Sequence, residues 1–229
     1  SAPNNPVLVG AYATPGNAKS VFIFGNYAYV ADQNTNSYLQ IINISDPYNP
    51  TLAGAYAIGE LNIEDVYVSG KYAYIAKDRN DDLRIIDISS STNPVLVGSY
   101  TSPGMAYGVY VSGNYAYLAN WTGLEIIDVK NPENPTLSKN LNTGSAKGIY
   151  VSGNYAYIAD MGNGLRVINI SGTEVSSLIA NSAEAGNLQI KNDLLVKGNT
   201  NLLSLTISQG GLLSQGPAAF SSGLFVASS

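Results

Sequence analysis

An Asn-Pro pair recurs at Asn5-Pro6, Asn49-Pro50, Asn93-Pro94 and Asn134-Pro135, at spacings of 44, 44 and 41 residues. Nothing else in the chain restricts its fold so strongly, because a fixed period in this range means a stack or ring of like units. Each unit reads the same way. After Asn-Pro comes VLVGAY, TLAGAY, VLVGSY or TLSKNL, then a loop holding Pro or Gly. A second segment follows, KSVFIF, EDVYVS, YGVYVS or KGIYVS, closed by a Gly-centred turn. Then come YAYVA, YAYIA, YAYLA or YAYIA, a variable loop, and finally LQIINI, LRIIDI, LEIIDV or LRVINI.

Four short strands per repeat of about 42 residues, joined by turn residues, is the pattern of a β-propeller blade. The expected fold is all-β, a four-bladed propeller over residues 1–171 with repeats 5–48, 49–92, 93–133 and 134–171. The turns after Phe24 and Ser112 place Gly and Asn where a two-residue hairpin needs positive φ. Within YAYVA, Tyr27, Tyr29 and Ala31 share one face, and Ala28 and Val30 the other. A tyrosine face set against an alanine face fills the gap between neighbouring sheets, which is a packing role.

The LxIIDI segment, the preceding GNYAYVAD and the NPxxVGxY opening resemble the LVIVD repeat, a propeller repeat of bacterial and archaeal extracellular proteins. The resemblance covers about residues 5 to 171 and brings no catalytic signature with it. It implies a propeller, although such propellers usually have more than four blades. Strand order supplies a way to close four. The chain opens with an isolated outer strand, residues 6 to 13, and its last repeat, 146 to 170, lacks that strand. The leading strand is therefore expected to complete the last blade and remove both exposed edges. The alternative is a larger ring completed by a second chain.

After Ser171 the composition changes. All 17 tyrosines and the single tryptophan precede it. Residues 172–186 read as a short helical neck. Residues 187–229 carry short apolar alternations between Gly-rich turns, too short to close a core alone. They resemble the trimeric β-fibre stalks of phage and bacterial surface fibres, which implies self-association through 172–229 as a homotrimer or a filament. The alternative is a flexible linker, against which stand the many Leu, Ile and Val positions.

The net charge of −5, with only 11 Lys and Arg and no basic run, argues against nucleic acid and anionic membranes. No apolar run approaches the ~20 residues that span a bilayer. Charged residues make up 12% of the chain, about half the usual share, as in secreted and surface proteins. The opening SAPNNP reads as a mature or trimmed product, and the expected location is extracellular or cell-surface. Cysteine and histidine are both absent, which removes disulfides, thiol chemistry and the commonest general base. No cofactor motif is present.

Propeller connectivity sends the variable loops to one face, where recognition is expected. Asn34 and Tyr38 lie in the first such loop, Tyr107, Asn120 and Trp121 in the third repeat, Asp160 and Met161 in the fourth. These seven are the candidate ligand-binding residues. Trp121 leads them, because an exposed indole stacks on a sugar face or anchors a protein partner. Asp78, Asp81 and Asp82 carry oxygen ligands of the kind Ca²⁺ favours, without the spacing of a defined calcium loop. They are the candidate metal residues. The expected function is a non-enzymatic extracellular fibre or adhesin subunit with a glycan- or protein-binding head on an oligomeric stalk. Two alternatives stand beside it: a structural subunit of a filament or sheath, and a polysaccharide hydrolase working through paired acids.

Overall fold

The computed structural model describes residues 5–59, 62–78, 83–171, 200–202 and 218–220. Residues up to Glu174 form one compact unit and those from Val175 a second. The neck, and all of the stalk apart from two short strands, lie outside the described residues. Those two, β16 (Thr200–Leu202) and β17 (Ala218–Phe220), pair in parallel.

The first unit is built of antiparallel sheets, one per repeat, and no helix occurs among the described residues. The first sheet contains β1 (Asn17–Phe24), β2 (Tyr27–Gln33), β3 (Tyr38–Asn43) and β4 (Thr51–Ala57) in that order. The second contains β5 (Ile63–Ser69), β6 (Tyr72–Lys77), β7 (Leu83–Asp87) and β8 (Val95–Tyr100). The third contains β9 (Ala106–Ser112), β10 (Tyr115–Asn120), β11 (Gly123–Asp128) and β12 (Thr136–Asn142). The fourth has three strands among the described residues: β13 (Ala146–Ser152), β14 (Tyr155–Asp160) and β15 (Gly164–Asn169).

Local chemistry fixes each meander. Phe24 faces Tyr27 across a two-residue turn, as do Ser69 and Tyr72, Ser112 and Tyr115, and Ser152 and Tyr155. Glycine at the first turn position has φ between 54° and 58° in all four. Asn26 and its counterparts do not take positive φ. The turns therefore follow the II′ pattern, which needs glycine at the first central position alone, and Lys71 is tolerated at the second. The third strand of every sheet ends in an Asx turn. Asn43, Asp87, Asp128 and Asn169 each accept a hydrogen bond from the N–H two residues on.

The tyrosine and alanine faces pack as their alternation predicts. Tyr29 and Ala31 lie with Leu39 and Ile41 against Ala73 and Ile75 of the second sheet. Tyr74 and Ala76 meet Ala116 and Leu118 of the third, and Tyr117 and Ala119 meet Ala156 and Ile158 of the fourth. First strands of successive sheets also lie side by side, and their rings make a ladder. Phe22 is 4.5 Å from Tyr67, Tyr67 is 4.6 Å from Tyr110, and Tyr110 is 5.2 Å from Tyr150.

The expected closing strand is not formed. Residues 6–13 take part in no sheet, and β15 keeps a free edge among the described residues. The segment does occupy an outer-strand position. A Cβ on Gly10 would fall 2.2 Å from the Pro47 carbonyl oxygen, just as one on Gly54 would meet Ser91 O and one on Gly98 would meet Pro132 O. Tyr12 packs on Ala28, Val30 and Ile42. The leading segment is thus seated against its own first sheet, in the place an outer strand of a preceding sheet would fill. The sheets pack in series, first on second, second on third, third on fourth.

Candidate functional site

Antiparallel order sends the start of each first strand and the loop after each second strand to the same edge of the unit. A β-bulge recurs there. Pairing of the first and second strands skips Lys19, Glu64, Tyr107 and Lys147, one residue in each sheet. A bulge leaves its extra residue unpaired and re-aims the side chain. Here the re-aimed side chains meet their counterparts on the next sheet. Lys19 Nζ lies 4.0 Å from Glu64 Oε2, and Lys147 Nζ sits 2.8 Å from the centre of the Tyr107 ring.

Around the second pair the edge becomes an aromatic and thioether patch. The Tyr107 ring lies 6.5 Å from the Trp121 indole, and Lys147 Nζ is 5.9 Å from the latter. Tyr107 Oη donates to Met105 Sδ at 3.6 Å, while Trp121 N–H donates to Met105 O at 3.0 Å. Trp121 is 54% exposed and Met105 is exposed beside it, while Met161, also exposed, lies near Lys147. Ser145 Oγ donates to Met161 Sδ at 3.9 Å. An open depression of about 270 Å³ adjoins the patch, lined by Lys147, Ala159, Asp160, Met161, Gly164 and Leu165.

Of the seven sequence candidates, Tyr107 and Trp121 therefore meet around Lys147, and Met161 lines the adjoining depression with the same lysine. Asn120 and Asp160 are scaffolding. Asn120 is buried; its Oδ1 accepts from Thr122 N, Thr122 Oγ1 and Gly123 N, and its Nδ2 donates to Ser102 Oγ. Asp160 accepts from Gly162 N and Asn163 Nδ2, and from Arg166 Nε at 3.1 Å. Burial pushes its carboxyl up, but the Asn163 and Gly162 hydrogen bonds and the Arg166 charge outweigh that and hold it below the usual carboxylate range. A carboxylate held ionised in this way is an acceptor, unsuited to donating a proton. Both residues end a second strand, where Asp32 likewise ties the loop by accepting from Gly16 N. Asn34 and Tyr38 sit on the same edge two sheets away. Asn34 Oδ1 accepts from Asn36 N within its own loop, and Tyr38 is half-buried.

Lys147 and Met105 complete the patch without having stood among the sequence candidates. Lys147 closes the variable loop NTGSAK and opens the strand KGIYVS, and nothing in either signals the bulge that turns its side chain toward Tyr107 and Trp121. Of the metal candidates, Asp78 is half-buried after β6, while Asp81 and Asp82 lie outside the described residues. Among the described residues no group of three or more His, Cys, Asp or Glu is placed to hold a metal ion.

Residues 15–58, 62–102, 103–143 and 143–179 match the family model described as the LVIVD repeat. The chain belongs to the LVIVD-repeat family. No curated protein matches it. Among solved structures, the computationally designed Ika4 protein is similar at 9% identity with a TM-score of 0.58, over 73% of this chain and 99% of that one. A protein of unknown function from Desulfotomaculum acetoxidans is similar at 20% identity and a TM-score of 0.61, over 69% of this chain and 53% of that one. The designed Ika8 protein is similar at 10% identity and 0.55, over 71% and 49%. This LVIVD chain thus spans about half the length of the latter two, and at such identities the likeness is one of fold.

Proposed function

We propose that the LVIVD unit is the non-enzymatic binding head of an extracellular fibre-type subunit, and that its ligand is a glycan carrying an acidic group. The observation that carries this is the half-exposed Trp121 indole with the Lys147 ammonium 5.9 Å away. An indole face takes the C–H face of a pyranose, and a neighbouring cation selects a carboxylate or sulfate on the same sugar. Lys147 is fixed by its contact with Tyr107, so little side-chain freedom is lost when a ligand arrives. The edge bearing these groups is also the edge whose loops differ most between repeats, TPGNAK, TSPGMAY and NTGSAK among them.

On this reading the residues after Ser171 form a trimeric β-stalk. Several heads on one stalk turn weak single sites into useful avidity through effective concentration. The low share of charged residues suits a surface location.

A glycan array probed with the full chain tests the proposal. Retention is expected on uronic-acid, sialylated or sulfated glycans, with Trp121→Ala lowering it at least about tenfold, the scale of a lost aromatic anchor. Lys147→Gln is expected to lower binding to acidic glycans and leave neutral ones alone. If no glycan is retained, or Trp121→Ala binds as well as the unaltered chain, the proposal fails; retention of proteins in place of glycans would equally overturn it.

A further inference from the structure

The four sheets repeat one interface three times, and among the described residues one unmatched half of that interface is left at each end of the series. On the outgoing side, Leu39, Leu83 and Leu124 are fully buried beneath the following sheet, while their counterpart Leu165 is 71% exposed. Ile41 and Ile85 are likewise buried, and Val167 is 54% exposed. Tyr155 and Ala159 lie open on the same face. On the incoming side, Val66, Val68, Val109 and Val111 are buried under the preceding sheet. Their counterparts Val21 and Ile23 are 59% and 55% exposed. The ring ladder ends the same way, with Tyr150 exposed as its last member among the described residues.

The backbone shows the same incompleteness. Among the described residues the fourth sheet has three strands and lacks an outer one; residues 6–13 lie in an outer-strand position with no sheet to pair with. Val7, Leu8 and Val9 are exposed. Their seating is not adaptable, because Gly10 and Tyr12 hold them on the first sheet. A second copy of the chain can present both complements at once. Its first sheet offers the exposed Val21 and Ile23 to cover Leu165 and Val167, and the same sheet carries the strand that β15 lacks.

We propose that the chain assembles head to tail, with residues 6–13 of one molecule completing the fourth sheet of the next and the first sheet of that same molecule packing on the fourth. The pairing register follows from the three sheets that have their outer strand. Asn43 faces Thr51, Asp87 faces Val95, and Asp128 faces Thr136. The equivalent pair across the new contact is Asn169 with Val7. This is strand addition at an open edge, backed by a side-chain interface that the chain already forms internally. It is independent of the glycan proposal, since it uses neither Trp121 nor Lys147.

The chain has no cysteine, so introduced ones report cleanly. Full-length Val7→Cys and Asn169→Cys chains are mixed and oxidised. Residues facing one another across an antiparallel pair have Cα atoms about 4.5–5.5 Å apart, within reach of a disulfide. The expected result is a disulfide-linked pair of chains in the mixture and none in either variant alone. The doubly substituted chain is expected to give linked oligomers. Introducing Val167→Asp into the Asn169→Cys chain, where Val167 is exposed, should cut linkage at least tenfold. A doubly substituted chain that closes into a linked monomer would overturn the proposal in favour of a single-chain wheel. Absence of linkage in the mixture, or linkage indifferent to Val167→Asp, would overturn it as well; the former is what a self-association made by residues 172–229 alone produces.

Discussion

Tyr67 sits in the middle of the ring ladder, and the fold shifts its phenol well upward. Burial, a hydrogen bond to Tyr110, and the nearness of the Tyr110 and Tyr150 rings raise its pKa to about 12. Burial moves the Tyr29, Tyr74 and Tyr117 phenols in the same direction. The folded pKa lies above the unfolded value of about 10. The stability these phenols contribute is therefore fully present below pH 10 and is lost as pH rises from there toward 12. Urea midpoints should be flat up to about pH 10 and fall steeply beyond it. Tyr67→Phe should cost about 1 kcal/mol near neutrality through the lost hydrogen bond and make the alkaline fall shallower. An equal alkaline fall in both proteins would show that Tyr67 ionises freely in the folded state. At the same scale Asp65 ties three sheets together. It accepts from Ser20 Oγ on the first, from its neighbour Val66 N, and from Val109 N on the third. Burial leaves its carboxyl above the ordinary range in spite of those three bonds.

At the scale of the strand, the outer strands β4 and β8 carry a glycine, Gly54 and Gly98, because backbone from the next repeat passes over it. A Cβ on Gly98 would lie 2.2 Å from Pro132 O, a backbone atom that cannot swing aside as a side-chain tip could. Gly98→Ala should therefore destabilise the unit by roughly 1–3 kcal/mol, the usual range for forced overpacking. Thermal or chemical denaturation measures it, and a neutral result would mean that the loop following β11 yields easily. The strands themselves are legible in the sequence: GNYAYVAD with LQIINI gives two strands and a turn, and the alternation of Tyr with Ala gives the packed faces. The turn type is half legible, since glycine's positive φ follows from the sequence but the ordinary φ of Asn26 does not. The bulge at Lys19, Glu64, Tyr107 and Lys147 is not legible. A strand with one extra residue has the same composition as a strand without it, and only the pairing register reveals the skip. That is why Trp121 and Tyr107 can be picked out as aromatic groups near variable loops, while nothing marks Lys147, at the end of NTGSAK, as the cation turned toward them. The leading segment shows the opposite limit. Its sequence marks an outer strand, and Gly10 and Tyr12 seat it as one, yet which sheet it would pair with is not encoded in strand patterns.

For the whole molecule, the two proposed modes of association would act through different parts of the chain and should separate when it is cut. A head-to-tail contact uses one patch on each partner, so repeating it gives a ring if the rotation closes and an open filament if it does not. Association through residues 172–229 would instead bring equivalent tails to a common axis. If both proposals hold, the solution mass of the full chain should exceed three protomers and grow with concentration. A chain ending at Ser171 keeps the compact unit that extends to Glu174 almost whole. It should retain the Val7–Asn169 cross-link, lose the fixed multiple of three, and dissociate to single chains on dilution. Sedimentation velocity across a hundredfold concentration range distinguishes the cases. If the shortened chain is a single protomer throughout while the full chain is a simple trimer, the exposed faces at Leu165 and Val21 are covered by something other than a copy of themselves. If instead the shortened chain assembles and the full chain gains nothing further, the tail contributes no association, and multivalent display rests on the ring or filament of heads alone.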